Sequence, residues 1–169
     1  MKIFSRISRR AAGGTGAVFA LTALLAATAL ALTPTQTREG YVEQVEPICK
    51  TNTKANERIL DGVRKKIKDG KLSVAAGQFT KAATAFEKAV KELRAVQQPA
   101  EDSAKLTKWL KKLDDEVGLL RDIGKALKDG NKIKAQTLSV RLTHNSNQAN
   151  NAVLGMGFDH CLIDSSKFA

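Results

Sequence analysis

Apolar and small residues recur at alternating steps of three and four along three stretches of this chain, 72–93, 106–127 and 135–156. A fourth stretch, 41–67, begins with the same spacing and then drifts out of it. A repeat close to 3.5 residues aligns such a set along one face of an α-helix and favours shallow, left-handed packing against neighbouring helices. The pattern predicts four amphipathic helices, each about 25 to 30 residues long, whose other faces carry charge and meet water.

Residues that end and begin helices separate these stretches. Asp69-Gly70 and Asp129-Gly130 each follow a lysine-rich turn, and glycine readily takes the left-handed conformation that ends a helix. Pro99 bars continuation between the second and third helices. Ser73 and Asn131 are the expected N-terminal caps of the second and fourth helices, because their side chains accept hydrogen bonds from free backbone N–H groups.

Pro47 falls inside the first stretch. Such a proline either kinks a helix or marks its true beginning, in which case residues 41–46 form a turn before the first helix. The three connections between the stretches are short, and short connections join antiparallel neighbours. The sequence therefore predicts an all-α fold, an antiparallel up-down-up-down four-helix bundle.

The chain has two cysteines, Cys49 near the start of the first helix and Cys161 just beyond the end of the fourth. In an up-down-up-down bundle these two points lie at the same end. We therefore expect a disulfide that links the C-terminal tail to helix one. Closing so long a loop stabilises a fold by about 4 to 5 kcal/mol if the effect is entropic. The alternative is a redox or metal-binding thiol, but the chain has no C-x-x-C motif.

The N-terminal segment has the pattern of a secretory signal peptide, 1–31. A basic head precedes an uncharged run, and Ala29-Leu30-Ala31 provides a cleavage motif after which the bundle domain, 32–169, would begin. Retention of residues 11–32 as an N-terminal membrane anchor is the alternative, because about 20 apolar residues span a bilayer. The pair Arg9-Arg10 leaves both Sec and twin-arginine export open. Either route predicts a secreted or cell-envelope protein, where disulfides persist.

The chain is strongly basic, with a formal net charge of +11. Nine cations surround the first and third predicted turns, which antiparallel stacking puts at one end of the bundle, here called the basic end. They are Arg64, Lys65, Lys66, Lys68, Lys71, Lys125, Lys128, Lys132 and Lys134. This cluster favours attraction to anionic envelope lipids or polymers, although lysine also suits helix C-termini and solubility. No nucleic-acid partner is expected, because no recognisable binding fold or interleaved aromatic residues accompany the charge.

Asparagines interrupt the apolar faces of the first and fourth helices. Asn52 and Asn145 occupy apolar positions, and Asn56 lies one turn from Asn52. Antiparallel stacking brings these three to a similar height, which predicts a buried amide cluster. One interpretation is control of helix register. The other is a small polar pocket between helices one and four that binds a ligand.

No catalytic constellation is recognisable in the sequence. The two histidines, His144 and His160, belong to no C-x-x-C-H or Glu-x-x-His motif, and the chain has no G-x-S-x-G. We therefore predict no catalytic residue, no cofactor and no metal site, and hence a protein that is not an enzyme.

Two segments near the ends of the helical region carry a resemblance. The first is 41–49, with an early Pro-x-Cys, and the second is Gly157-Phe158 followed by Cys161. The associated asparagines are Asn52, Asn56, Asn145 and Asn151. This pairing resembles a group of small exported helical proteins of high-GC actinobacteria, which are mostly uncharacterised. The resemblance spans nearly all of the mature chain and implies a disulfide-closed helical domain without a known activity.

Two functions follow as hypotheses from these observations. The first is an exported, non-enzymatic helical module at the cell envelope that binds an anionic surface or a protein partner. Its basis is the export signal, the basic end and the lack of catalytic motifs. The second is a carrier of a small ligand or cofactor in the polar pocket between helices one and four.

Overall fold

The computed structural model describes residues 35–164, and this part of the chain is helical without any strand. Its helices are α1 (Arg38–Leu60), α2 (Val63–Lys68), α3 (Leu72–Ala95), α4 (Ser103–Lys128) and α5 (Lys132–Ala152), with one 3-10 turn at Ala100–Asp102. The four long helices pack against one another in the order α1, α3, α4, α5. The all-α four-helix fold predicted from the apolar spacing is confirmed.

Two surface ion pairs show that α3 and α4 run antiparallel. Arg94 near the end of α3 binds Asp114 at 2.7 Å, whereas Glu87, two turns earlier in α3, binds Arg121, two turns later in α4, also at 2.7 Å. Residue numbers thus fall along one helix as they rise along the other. The core lies between these helices and is built mainly from leucine, alanine, phenylalanine and the buried Trp109.

The first predicted helix is divided into two, which corrects the expectation of four helices of similar length. Gly62 adopts a φ of 65°, in the left-handed region, and α2 starts directly after it. The break leaves carbonyl groups without helical partners, and the Gln78 side chain donates to those of Ile59 and Asp61, at 2.6 and 3.1 Å. The helices α1, α3 and α5, with 23, 24 and 21 residues, are shorter than predicted.

The helix boundaries agree with the sequence at three positions and differ at two. Gly70 and Gly130 have φ values of 77° and 73° and end their helices as predicted. Asn131 caps α5 by accepting a hydrogen bond from the backbone of Lys134. Ser73 is not a cap, because α3 already begins at Leu72 without a side-chain cap. Residues 41–46 are helical rather than a turn, because α1 begins at Arg38, well before Pro47.

A half-buried ion pair ties the start of α1 to the connection between α3 and α4. The Arg38 guanidinium donates to both carboxylate oxygens of Asp102, at 2.7 and 2.9 Å, and the Asp102 side chain is fully buried. The hydrogen bonds from Arg38 hold the pKa of Asp102 below its usual value, with Lys105 adding to the effect. A bidentate pair of this kind fixes both partners in orientation as well as position.

A gap separates α1 from α5, the first and last of the four long helices. Helix α1 packs on α3, but it is not packed closely on α5, its expected neighbour in a closed bundle. No helix within residues 35–164 is long and apolar enough to cross a membrane. The predicted signal peptide, and the alternative anchor at residues 11–32, lie outside the described residues.

Candidate ligand-binding cavity

A cavity of about 510 Å³ occupies the space between α1, α3, α4 and α5. Its apolar walls come from all four helices, and cavities of this size commonly hold small molecules. The leucine and phenylalanine side chains that the helices contribute to its lining are Leu60, Phe86, Leu93, Leu113, Leu120 and Leu142.

The cavity coincides with a thinly covered side of the bundle. Helix α5 contributes only Leu142 and Asn150 to its lining, and α3 contributes Phe86, Ala89 and Leu93. Protein interiors are otherwise packed to a high density, and α1 and α5 do not pack closely on each other to fill this space.

The segment after α5, residues 153–164 and here called the tail, covers one end of the cavity. Cys161 is bonded to Cys49 of α1, with an S–S distance of 2.01 Å and a Cα–Cα distance of 4.9 Å. The predicted disulfide is therefore confirmed. Phe158 is buried, with its ring centroid 5.3 Å from that of Trp109 and 6.4 Å from that of Tyr41. Burial of Tyr41 raises its pKa to about 12.

Two further side chains hold the tail across the gap between α1 and α5. From α1, the Glu46 carboxylate accepts hydrogen bonds from the backbone N–H groups of Asp159 and His160, each at 2.9 Å. From α5, the Asn150 amide pairs with the backbone of Ile163, donating at 2.9 Å and accepting at 2.8 Å. The sequence carries no signal for either anchor, because their partners are backbone atoms, which no residue pattern identifies.

Glu116 of α4 is a buried carboxyl in the cavity wall, with 3% of its surface exposed. Its two oxygens accept hydrogen bonds from α5, Oε1 from Ser146 Oγ at 2.6 Å and Oε2 from Asn145 Nδ2 at 2.7 Å. Burial raises the pKa of Glu116, and these two hydrogen bonds oppose the increase. No Lys or Arg in the described part of the chain forms an ion pair with it. A carboxyl in such surroundings favours its neutral form.

Unlike the Glu116 oxygens, two polar atoms in the cavity wall lack hydrogen-bond partners among the described residues. Asn56 donates to Asn52 Oδ1 at 3.0 Å, but its own Oδ1 is buried and unpaired. Trp109 is fully buried, and its indole N–H is also unpaired. An unmatched buried polar group costs about 1 to 3 kcal/mol. A bound molecule with complementary groups would remove that cost.

The predicted amide cluster is divided between two sides of the cavity. Asn52 and Asn56 bond to each other on α1 and line the cavity. Asn145 bonds instead to α4, through Glu116 and the backbone carbonyl of Lys112 at 2.8 Å. Sequence analysis missed Glu116 and Trp109. Their spacing offered a signal, since they alternate with Leu113 and Leu120 at helical steps beside the apolar seam of α4.

The nine cations of the basic end lie around the α2–α3 and α4–α5 turns. The two turns are at the same end of the bundle, because a Cβ atom on Gly124, near the end of α4, would lie 3.1 Å from the backbone oxygen of Ala76, near the start of α3. Eight of the nine residues are exposed and Lys66 is half-buried, while Lys65 is paired with Asp69 at 2.7 Å.

Neither metal-ligand geometry nor similarity to known proteins indicates a function for the described residues. Within residues 35–164, no group of three or more His, Cys, Asp or Glu side chains is arranged to hold a metal ion. The chain matches no known protein family, no curated protein and no solved structure. Its function is therefore inferred from the side chains and charges of the cavity.

Proposed function

We propose that this chain is an exported, non-enzymatic helical protein that holds a small, largely apolar molecule in the cavity between α1 and α5. One observation carries the proposal. The cavity combines apolar walls with two buried polar atoms, Asn56 Oδ1 and Trp109 Nε1, that have no partner among the described residues. Apolar walls with a few orienting polar groups are typical of small-molecule sites.

The chemistry of the site favours binding over catalysis. Both cysteines are used in the disulfide, so neither is a nucleophile. The carboxyl of Glu116 is bonded to Asn145 and Ser146 rather than to a base. Export is supported by the predicted signal peptide and by the disulfide, which persists in oxidising compartments.

Binding of a neutral apolar dye, N-phenylnaphthylamine, tests this function. We expect saturable binding of one dye per chain, with energy transfer from Trp109, the only tryptophan. Ala89→Phe would place a ring in the cavity, and it should abolish dye binding while the helical circular dichroism is retained. Val74→Leu, at an exposed position of the same helix, should not affect binding. An absence of saturable binding, or equal binding by the Ala89 variant, would refute the proposal.

Material from the native host provides an independent measurement. Native mass spectrometry should detect a species heavier than the mature polypeptide, and the added mass should disappear on denaturation. An absorbance spectrum of the same sample would show whether the bound molecule is coloured. A mass equal to that of the bare chain would count against a tightly held ligand.

A second proposed activity is attachment of the basic end to an anionic envelope surface. It is favoured by the exposure of cations around two adjacent turns, where four carboxylates, Asp61, Asp69, Asp122 and Asp129, only partly offset them. Sedimentation with vesicles containing anionic lipid should capture the protein at low salt, and salt should weaken the capture. A variant with all nine cations changed to glutamine should stay in solution. Equal capture of both forms would eliminate this activity.

A further inference from the structure

The cavity is acidic although the protein is basic. The chain has 28 Lys and Arg residues against 17 Asp and Glu, yet among residues 35–164 no Lys or Arg lines the cavity. In this range three carboxyl groups line it instead, those of the buried Glu116 and of the exposed Asp159 and Asp164, and His160 is the one other ionisable side chain in the wall. Charge of this sign inside a cavity selects against anions and attracts cations.

Within residues 35–164, no cation of the protein forms an ion pair with Glu116. Helix α5 presents Asn145 and Ser146 to it, and both are neutral. The nearest cation along α4 is Lys112, whose ammonium lies 3.5 Å from the Asp115 carboxylate. A buried carboxylate is strongly destabilised unless a counter-ion or several hydrogen bonds accompany it.

The other elements around the cavity do not supply a counter-ion either. Helix α1 contributes the amides of Asn52 and Asn56 to the lining, and α3 contributes only apolar side chains. The tail contributes Asp159, His160 and Asp164. Of these, only His160 can become cationic, and it is exposed at the end of the cavity.

The hydrogen bonds of Ser146 fit a protonated Glu116 when no cation accompanies it. Ser146 Oγ lies 2.6 Å from Glu116 Oε1 and 2.9 Å from the carbonyl oxygen of Leu142. A hydroxyl has one proton, so it cannot donate to both oxygens. If the carboxyl is protonated, it donates to Ser146, and Ser146 donates to Leu142, so that every contact pairs a donor with an acceptor.

We propose that the molecule held in this cavity is a hydrophobic amine, an apolar body with a protonated nitrogen, and that Glu116 is its counter-ion. The inference rests on the proposed small-molecule function and names its ligand class. The ammonium donates to the Glu116 carboxylate and to the unpaired Oδ1 of Asn56, both in the cavity wall. The apolar body lies against Phe86 and the leucines of the wall.

The position of Trp109 adds a second requirement on the ligand. Trp109 and Glu116 are seven residues apart on α4, which corresponds to about 10 Å along the helix axis. The unpaired indole N–H of Trp109 is a donor. An amine that also carries an oxygen acceptor about 10 Å from its nitrogen would satisfy both ends of the cavity.

Binding of such a cation releases a proton. The neutral carboxyl of Glu116 gives its proton to solvent, the carboxylate forms an ion pair with the ammonium, and the Ser146 hydroxyl turns to donate to Oε1. Calorimetry in buffers of different ionisation enthalpy should therefore detect release of up to one proton per amine bound. The release should be largest at acidic pH, where Glu116 is protonated, and should fade as the pH rises.

A matched series of decylamine, decanol and decanoate, each displacing N-phenylnaphthylamine, tests the inference. Wild-type protein should bind decylamine about tenfold or more tightly than decanol, a difference of about 1.4 kcal/mol, because only the amine forms a close, desolvated charge pair. Decanoate should bind most weakly. Glu116→Gln should remove both the preference for the amine over decanol and the proton release. Asp122→Asn, an exposed change on the same helix, should leave the preference intact.

The outcomes separate this inference from the function on which it rests. If decanol and decylamine bind the wild type equally, or if Glu116→Gln keeps the preference, the amine assignment is overturned while apolar binding stands. If neither the dye nor any member of the series binds, both fall. The comparison on the wild type does not depend on how the variant folds. Glutamine can also accept from Asn145 and donate to Ser146, as the protonated carboxyl does.

Discussion

Replacement of both cysteines by alanine should lower the free energy of unfolding by about 5 kcal/mol. The bridge joins residues separated by 112 positions in sequence, Cys49 and Cys161. Cutting it frees the unfolded chain to adopt conformations that the closed loop excludes, and that gain in entropy grows with the logarithm of loop length. Both cysteines are buried, so the alanine side chains also leave a small void that adds to the loss.

The expected change in melting temperature follows from the size of the folded part. Roughly 130 described residues correspond to an unfolding entropy of about 270 cal/mol/K near 60 °C. Dividing the loss of stability by this entropy predicts a decrease in Tm of about 19 °C. Circular dichroism melts would measure it, and fluorescence of Trp109 would follow the end of the bundle where Phe158 packs against it.

Reductant provides the matched control for this experiment. Reduced wild-type protein should melt close to the alanine variant, whereas the variant itself should not respond to reductant. A difference between those two melts would measure the packing effect of the lost sulfur atoms. A decrease in Tm of less than about 5 °C for the variant would refute the loop-closure reasoning, because it would mean that the unfolded chain gains little freedom when the bridge is cut.

Three other contacts make separate predictions. Gly124→Ala should lower the unfolding free energy in urea by about 1 to 2 kcal/mol, because its methyl group would lie 3.1 Å from a backbone oxygen of α3. A Cβ atom on Gly118 would meet open space, so Gly118→Ala should raise the unfolding free energy by about 0.5 to 1 kcal/mol. Equal losses of stability in the two variants would contradict the predicted steric conflict at Gly124. Glu46→Gln should accelerate amide hydrogen exchange in the tail about tenfold, whereas the same change at the exposed Glu43 should not. Glu116→Gln should flatten the dependence of stability on pH. In the folded protein the pKa of this carboxyl is raised above its ordinary value of 4.5. Wild-type stability therefore falls as the pH rises from 4.5 through the folded-state pKa. Urea titrations across this pH range should detect the decrease in the wild type and not in the variant.

The helical framework was largely predictable because its signals are local. The apolar spacing of α3, α4 and α5, and the glycines at 70 and 130, act through neighbours within one or two turns. The disulfide was predictable once the helices and their short connections were known, because an antiparallel bundle leaves Cys49 and Cys161 at one end. The break at Gly62 was missed, since a glycine within an otherwise periodic stretch is compatible with a continuous helix.

The cavity was only partly predictable. Asparagines at apolar positions predicted a polar cluster between the outer helices, and the structure places Asn52 and Asn56 in the cavity lining. The pairing of Asn145 with Glu116 could not be derived, because it depends on the rotation of α5 against α4. The anchors of the tail could not be derived either, since Glu46 and Asn150 bind backbone atoms of a non-helical segment.

The amino-acid sequence by itself determined a basic, all-helical bundle whose tail is joined to its first helix. Only the tertiary structure decided that α1 and α5 stand apart, that a cavity of about 510 Å³ lies between them, and that it is lined by a buried carboxyl with no counter-ion in the described part of the chain. The physical reason is how far apart in the chain the interacting residues lie. A helical pattern depends on residues that are close in the chain, whereas a cavity depends on the distances between side chains that meet only after the helices have packed.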